Sequence, residues 1–316
     1  MRANKIILAV HVLDNADVLR EFLEWYRHLG VDLIVANDFG SKDGGQDILE
    51  DFAKQGFVRW SYQASKNAKD SNPSDRLTEF AREKYGAEWV ILCDTDEFLT
   101  VAEGDLRSVL ARAQQDDVSV VNVKCLNMTG TPLAPGKSAL EHLTLRIDRT
   151  VIESEQNQLS GELPVPYVFL RHPPKTIVRA RAFVSYAPGG HSAETASGRS
   201  AEYPELKFLH YPIRGYGALV TKVAHTTTWF AENPHLEAWP WWGWHWRRWI
   251  RLEKAGRLRE DYDAQFVSPT RAEELVREGT CSIDETVANR IALWRRERRS
   301  WPEKFLARLF GRTDED

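Results

Sequence analysis

The first 125 residues alternate between short apolar runs and segments in which apolar residues recur at helical spacing. Continuous apolar runs at 6–10, 33–36, 57–60, 89–93 and 118–123 predict five strands. Helical spacing between them predicts three helices, whose apolar positions are Val18, Leu19, Phe22, Leu23, Tyr26 and Leu29, then Ile48, Leu49 and Phe52, then Leu77, Phe80, Ala81 and Tyr85. Strands that alternate with helices predict βαβ units and a parallel sheet covered on both faces.

The pattern changes twice after residue 125. Between 126 and 205, proline and glycine separate short β-prone stretches such as 176–178 and 182–184. From 213 onward the chain becomes helical and rich in tryptophan. We therefore predict one α/β domain over 1–225, whose second half begins near 126, followed by a helical region over 226–316.

Composition narrows the function classes. Of the 316 residues 42% are hydrophobic, and the net charge of −4 argues against a nucleic-acid partner. Three cysteines without metal-ligand spacing predict no disulfide framework and favour a reducing compartment. The sequence contains no run of 18 apolar residues, so we predict no membrane span. We expect a cytoplasmic protein, with contact only at the inner face of a membrane as the alternative.

The strongest chemical signal follows the fourth predicted strand, where Asp94, Asp96 and Glu97 come directly after Cys93. Side chains alternate along extended chain, so Asp94 and Asp96 can point to one side. Carboxylates at the end of a buried strand are costly unless they are paired, and Mg²⁺ or Mn²⁺ with a diphosphate would pair them. The alternatives are a helix cap or a solvated turn.

A second polar loop, residues 37–44, follows the second predicted strand. Asp38 and Asp43 can accept hydrogen bonds from a nucleobase or a ribose, and Gly40 and Gly44 permit close approach of the backbone. The alternative is an ordinary loop in which Ser41 or Asp43 caps the next helix.

Several of these segments resemble bacterial glycosyltransferase family 2, in the subgroup related to glycosyltransferase family 92. The resemblance covers roughly residues 5 to 225, and the aspartate motif with the later His-Tyr element is its most specific pair. One departure lies at 13–17, which reads Leu-Asp-Asn-Ala-Asp where the family usually has Asn-Glu. The matching segments are the helix end at 24–32, the loop positions Asp38, Ser41 and Asp43, the motif at 94–98, Gly190-His191, the stretch 209–212 and Lys222.

This resemblance implies a GT-A fold with a nucleotide-sugar half at about 1–125 and an acceptor half at about 126–225. It implies a glycosyltransferase that uses a nucleoside-diphosphate sugar, inverts the anomeric centre and serves the synthesis of a surface glycan or polysaccharide. The acceptor would be a glycan or a lipid-linked hydroxyl. Asp94 and Asp96 would hold Mn²⁺ or Mg²⁺, with His210 or His191 as a further ligand. Asp38, Asp43, Asp94 and Lys222 would contact the nucleotide.

Some parts of this hypothesis stay open at the sequence level. Inversion requires a general base, and the candidates in the plausible region are Asp148, Glu153, Glu155 and Glu162, each of which could equally be a solvated loop acid. His191 and His210 could be ordinary core or loop histidines, and Lys207, Arg214 and Lys222 could be surface cations rather than diphosphate ligands. A nucleotidyltransferase and a catalytically degenerate GT-A scaffold are the alternative functions.

Two aromatic segments end the chain. Residues 229–249 contain seven tryptophans, which could bind a sugar, pack the helices or lie at a membrane interface. Residues 290–312 interleave arginine and lysine with large apolar residues. This basic amphipathic tail could contact an anionic membrane or could pack on the domain with its arginines in solvent.

Overall fold

A computed structural model of the chain describes residues 4–63, 72–134, 136–240 and 242–297. The strands are β1 (Ile6–Val12), β2 (Leu33–Asp38), β3 (Val58–Tyr62), β4 (Trp89–Leu92), β5 (Glu97–Val101), β6 (Val118–Thr129), β7 (Leu145–Ile147), β8 (Lys175–Arg179), β9 (Phe183–Tyr186), β10 (Ala193–Thr195), β11 (Arg199–His210) and β12 (Cys281–Ile283). The helices are α1 (Ala16–His28), α2 (Gly45–Lys54), α3 (Pro73–Tyr85), α4 (Leu106–Gln115), α5 (Ala139–His142), α6 (Glu155–Ser160), α7 (Tyr216–Glu232), α8 (Trp244–Lys254), α9 (Leu258–Asp263), α10 (Pro269–Arg277) and α11, which covers 286–297.

The first half of the chain forms the parallel part of one sheet, in the order β3-β2-β1-β4. Alternate residues of β1 enter two cores: Ile6 and Leu8 pack on the side of α1, and Ile7 and Ala9 pack on the side of α3. The α/β class, the five strands and the three helices predicted from the sequence are confirmed. Phe80 is an exception, because it is 45% exposed and packs only edge-on against Tyr85.

The second half extends the same sheet with strands of mixed direction. Strand β8 runs antiparallel between β4 and β6. Strand β11 lies between β6, to which it is parallel, and β5, to which it is antiparallel. The long β11 thus joins the segment after the aspartate motif to the centre of the sheet.

The C-terminal region is tied to this sheet. Helix α7 crosses residue 225, so no boundary in secondary structure falls there, and the predicted division at that point stays a prediction. Strand β12 pairs with β7, and Ile291 of α11 is fully buried in the main core. Trp294 packs edge-on against Trp25 of α1.

Side chains of both aromatic segments pack on the protein, although Trp239 is 54% exposed. Trp229, Trp242 and Trp246 contact one another, and Arg247 lies over the ring of Phe230. Residues 290–297 of the predicted basic tail belong to α11, while 298–312 lie outside the described residues. Among the described helices, none has the length and apolarity that a membrane crossing requires.

Tyr26 of α1 fastens β5 to the helix layer. Its fully buried hydroxyl accepts a hydrogen bond from Leu99 N–H and donates to the carbonyl oxygen of Glu97. Both partners belong to β5, the strand that directly follows the aspartate motif. Tyr26 therefore fixes the backbone at Glu97, the last acid of the motif.

We expect Tyr26→Phe to lower the free energy of unfolding by about 1–3 kcal/mol, because a buried N–H and a buried carbonyl lose their partner. Urea denaturation followed by circular dichroism measures this loss. The control is Tyr62→Phe, at a tyrosine that is 60% exposed, where the change should stay within about 0.5 kcal/mol. Equal effects of the two substitutions would contradict the anchoring role.

Candidate active site

The register of four strands gathers polar side chains on one face of the sheet. His210 at the end of β11 is aligned with Glu97 of β5 on one side and with Asn127 of β6 on the other. Lys175 of β8 is aligned with Val123 of β6. Side chains at aligned positions point to the same face, and Cys125 lies two residues from both Val123 and Asn127. Lysine, thiol, amide, imidazole and carboxylate therefore share one face.

Lys175 is a buried cation between two carboxylates. Its Nζ lies 2.8 Å from Asp94 Oδ2 and 3.2 Å from Glu97 Oε2, and it also donates to the carbonyl oxygen of Gly189. Burial lowers the pKa of Lys175, but Asp94 and Glu97 outweigh this and keep the amine charged. Burial raises the pKa of Glu97 to about 8, although Lys175 opposes the shift. Asp94, by contrast, has an exposed side chain.

Asp96 lies close to two basic side chains, Arg214 and Lys222. Arg214 Nη1 donates to Asp96 Oδ2 at 2.8 Å, and the same guanidinium pairs with Asp17 of α1. Lys222 Nζ lies 3.8 Å from Asp96 Oδ2, and its side chain is partly exposed. The structure thus brings Asp94, Asp96, His210 and Lys222, four of the predicted site residues, into one cluster.

The imidazole of His210 presents an unprotonated ring nitrogen, Nε2, to Asp96. Asn127 donates both amide hydrogens to the carbonyl oxygens of Val168 and Leu170, so its Oδ1 must accept from His210 Nδ1 at 2.8 Å. Burial lowers the pKa of His210 well below its usual range, so the ring is neutral. Nε2 is then a lone pair that faces Asp96 Oδ1 at 3.8 Å. Two acceptors at this distance fit a cation between them.

Two further histidines lie beside His210. The ring of His172 is 4.5 Å from that of His210 and 5.6 Å from that of His191. Burial lowers the pKa of His172 to about 3 and that of His191 to about 4. Gly190 lets the turn before His191 pack on β4, since a Cβ there would come within 2.6 Å of Leu92 Cδ2, and its φ of +70° suits glycine.

The predicted nucleotide loop lies at the ends of β1 and β2. Asp38 is fully buried and accepts hydrogen bonds from Gly40 N–H, from Ser41 and from the Gln46 side chain. Asp43 accepts from Ala16 N–H at the start of α1 and from Gly45 N–H at the start of α2. Both carboxylates therefore order this loop, and their predicted contact with a nucleotide stays a prediction.

The predicted general bases lie just after β7 and around α6. Asp148 pairs with Arg146 and accepts a hydrogen bond from Ser282, beside the β7–β12 pair. Glu153 accepts from Ser154 N–H ahead of α6, and Glu162 follows the end of that helix. Glu155 begins α6, and its side chain is outside the described residues. No hydrogen bond or ion pair within the described residues joins these acids to Asp94 or Asp96.

Two stacked rings, those of Tyr167 and His245, lie next to the cluster. The 3₁₀ turn at Tyr167–Phe169 carries the carbonyl that Asn127 bonds, and Tyr167 stacks on His245 with ring centroids 5.5 Å apart. Burial, with Asp96 nearby, raises the pKa of Tyr167. Burial lowers the pKa of His245, and the charge of Lys222 adds to that shift. Tyr167 and His245 thus border the carboxylates and the cations.

The sequence model of glycosyltransferase family 92 matches residues 9–187, more than half of the 316-residue chain. The chain belongs to glycosyltransferase family 92. The matched range contains the aspartate motif, Lys175 and His172, whereas His210 and Arg214 lie beyond it. A comparison with proteins of curated function finds no significant match.

Two solved structures are similar to part of this chain. S. aureus TarS 1-349 in complex with UDP-GlcNAc has 13% sequence identity and a TM-score of 0.42, over 67% of this chain and 59% of that one. Glucosyl-3-phosphoglycerate synthase from Mycobacterium tuberculosis, in complex with Mn²⁺, UDP and glucosyl-3-phosphoglycerate, has 14% identity and a TM-score of 0.32, over 59% of this chain and 61% of that one. The family 92 chain thus spans about three fifths of each.

Sequence reasoning missed Lys175, His172, Cys125 and Asn127 as members of this family 92 site. One predicted strand ends at 123 and the β-prone stretch at 176–178 begins after Lys175, so these four positions fall in predicted connections. A signal was present, because apolar residues continue past Val123 at Cys125, Leu126 and Met128, and no proline or glycine interrupts the chain before Gly130. Lys207, by contrast, is a candidate diphosphate ligand from the sequence that does not share this face. It lies three residues before His210 on β11, so its side chain points to the opposite side of the sheet.

We expect Lys175→Met to lower the free energy of unfolding by about 1 kcal/mol more at pH 9 than at pH 6, because Glu97, whose pKa is raised to about 8, is mostly ionised only at the higher pH and then lacks its cation. The loss should shrink toward pH 6. Without Lys175, folded Glu97 holds its proton more tightly than the unfolded chain, where its pKa is near 4.5, so stability falls as pH rises. Denaturant titrations at the two pH values measure this.

The matched controls are Lys207→Met and the double variant Lys175→Met/Glu97→Gln. Lys207→Met removes a lysine from the opposite face and should be close to neutral. The double variant should recover most of the stability, because no buried charge is left unpaired. A double variant as unstable as Lys175→Met alone would show that the loss comes from packing rather than from charge.

Proposed function

We propose that this glycosyltransferase moves a sugar from a nucleoside-diphosphate donor to a hydroxyl group of a glycan or a lipid-linked acceptor, with inversion at the anomeric carbon. Asp96 and His210, together with Asp94, would hold Mn²⁺ or Mg²⁺. The cation would supply Lewis-acid stabilisation of the diphosphate leaving group. The geometry at Asp96 is the observation that carries this proposal.

That geometry supports a cation because it presents two acceptors with no proton between them. Asn127 fixes the tautomer of His210, so Nε2 faces Asp96 Oδ1 as a lone pair at 3.8 Å. A hydrogen bond that orients a ligand histidine in this way is the usual arrangement around protein-bound metals. The exposed Asp94 side chain, two residues before Asp96, offers a carboxylate on the open side of the site.

The surrounding cations support a diphosphate. Asp96 already pairs with Arg214 and lies near Lys222, so the charges of the free site are largely balanced. A diphosphate with its cation would let Arg214 and Lys222 turn from Asp96 toward phosphate oxygens. The partly exposed Lys222 can move without loss of packing. Charged groups already in place beside the leaving group lower the barrier for its departure.

A binding site for the acceptor is supported only by the position of two aromatic rings. Tyr167 and His245 border the carboxylate cluster with flat ring faces, which suit a sugar. The general base of an inverting transfer stays unassigned, since Asp148, Glu153, Glu155 and Glu162 remain predictions from sequence. Membrane contact through 290–312 also stays a prediction.

Calorimetric titration of UDP and GDP, each with and without Mn²⁺, tests the donor site. We expect one of the two nucleotides to bind, to require Mn²⁺, and to bind at least about tenfold more weakly to Asp96→Asn, because a ligand of the cation is lost. The control is Asp47→Asn, which changes an exposed acid in the first turn of α2 and should bind like the parent protein.

Two results would count against the proposal. Binding that is equally tight without Mn²⁺ would mean that Lys175, Arg214 and Lys222 alone neutralise the diphosphate. Absence of nucleotide binding in a folded sample would favour the scaffold alternative over a transferase.

A further inference from the structure

A thiol and two imidazoles lie together on the inner side of the candidate active site. Cys125, His172 and His210 each offer one ligand atom, and these three atoms lie within 4.8 Å of one another. Cys125 and His210 are buried, and His172 is partly exposed and so leaves a path from solvent. Cys125 comes from β6 and His210 from β11, at positions two residues apart in the register.

The hydrogen bonds of both histidines leave the same nitrogen available. His172 Nδ1 lies 2.9 Å from the carbonyl oxygen of Pro173, which can only accept, so Nδ1 carries the proton. His210 Nδ1 donates to Asn127 Oδ1 in the same way. Nε2 of each ring is therefore a free lone pair, held in direction by the bond on the other side of the ring. Histidine ligands of metals are commonly oriented by such bonds.

We propose that Cys125, His172 and His210 form a second metal site, selective for a thiophilic divalent cation such as Zn²⁺ and distinct from the Asp94–Asp96 site. Thiolate and imidazole ligands favour Zn²⁺, whereas carboxylates and water favour Mg²⁺ and Mn²⁺. The cation displaces the thiol proton of Cys125 to solvent and binds the resulting thiolate.

The ligand set matches what Zn²⁺ requires. Zinc–sulfur and zinc–nitrogen bonds place tetrahedral ligand atoms about 3.5 Å apart, so the cluster has to contract by about 1 Å at its widest. Glu97 Oε1 lies 3.9 Å from Cys125 Sγ and can fill the fourth position, which a water molecule can also take. Three protein ligands on two strands and one loop then close around the ion.

The two metal sites share one ligand, and this makes them exclusive. His210 Nε2 faces Asp96 Oδ1, as the proposed function requires, and it is also the nitrogen that the hydrogen bond to Asn127 leaves available to the second cluster. One lone pair binds one cation at a time. Zn²⁺ in the second site therefore withdraws His210 from the cation that serves the donor, and zinc acts as an inhibitor. This consequence rests on the proposed function, whereas binding of zinc itself does not.

Cobalt substitution tests the site directly, because Co²⁺ shows an intense thiolate-to-metal charge-transfer absorption only when sulfur is a ligand. Titration of Co²⁺ into the parent protein should give this absorption, and Zn²⁺ should remove it by displacing cobalt. Cys125→Ser should abolish the absorption. Cys281→Ser, which changes a buried cysteine outside the cluster, is the matched control and should keep it.

A second variant covers the case in which Cys125→Ser does not fold. His172 is partly exposed, so His172→Gln should fold and should weaken Zn²⁺ binding, measured against a chromogenic chelator, by at least about tenfold. A folded parent protein without the cobalt–thiolate absorption would overturn the proposal. So would Zn²⁺ affinity that is unchanged in both Cys125→Ser and His172→Gln, since zinc would then be bound elsewhere.

Asp96→Asn separates this inference from the proposed function. It should keep the cobalt–thiolate absorption while it loses Mn²⁺-dependent binding of UDP or GDP. If the parent protein shows that nucleotide binding, Zn²⁺ should suppress it, and Cys125→Ser should raise the inhibitory concentration of Zn²⁺ at least about tenfold. Inhibition that persists unchanged in folded Cys125→Ser would mean that zinc occupies the Asp96 site, which contradicts exclusion through Cys125.

Discussion

The insertion of β11 between β5 and β6 is the constraint on which the site depends. Backbone hydrogen bonds on both sides of β11 align His210 with Glu97 and Asn127, and a shift of one residue would turn the imidazole to the opposite face. These aligned residues are far apart in the sequence, since His210 follows both Glu97 and Asn127 by more than eighty residues. Phe208 and Leu209 are both fully buried, so each face of β11 is covered and the register is well specified.

Burial at the end of this strand explains the unusual electrostatics. Three histidines are neutral because burial lowers the pKa of each, and a neutral imidazole is a ligand rather than a cation. Glu97 and Lys175 are buried together, which is tolerated only because Asp94 N–H and Gly189 also bond to them. The same desolvation therefore keeps the acids paired and the imidazole lone pairs free.

The sequence predicted the parallel half of the fold well because its strands are apolar throughout and its helices are amphipathic. It also singled out Asp94, Asp96, His191, His210 and Lys222, since each stands in a recognisable local motif. Lys175 and Cys125 escaped because their role depends on which strands become neighbours, and β8 enters between β4 and β6 from more than fifty residues away. Local periodicity carries no information about such pairing.

The charges around Asp96 also bear on the order in which ligands bind. Asp94, Asp96 and Asp17 are met by Lys175, Arg214 and Lys222, so the described site is nearly neutral before any ligand arrives. A divalent cation alone would have to displace these partners from Asp96, and would leave Lys222 without a counter-charge and Arg214 with Asp17 alone. A diphosphate that arrives with the cation supplies negative charge to both. The electrostatic balance therefore favours binding of the cation and the nucleotide together over binding of the cation first.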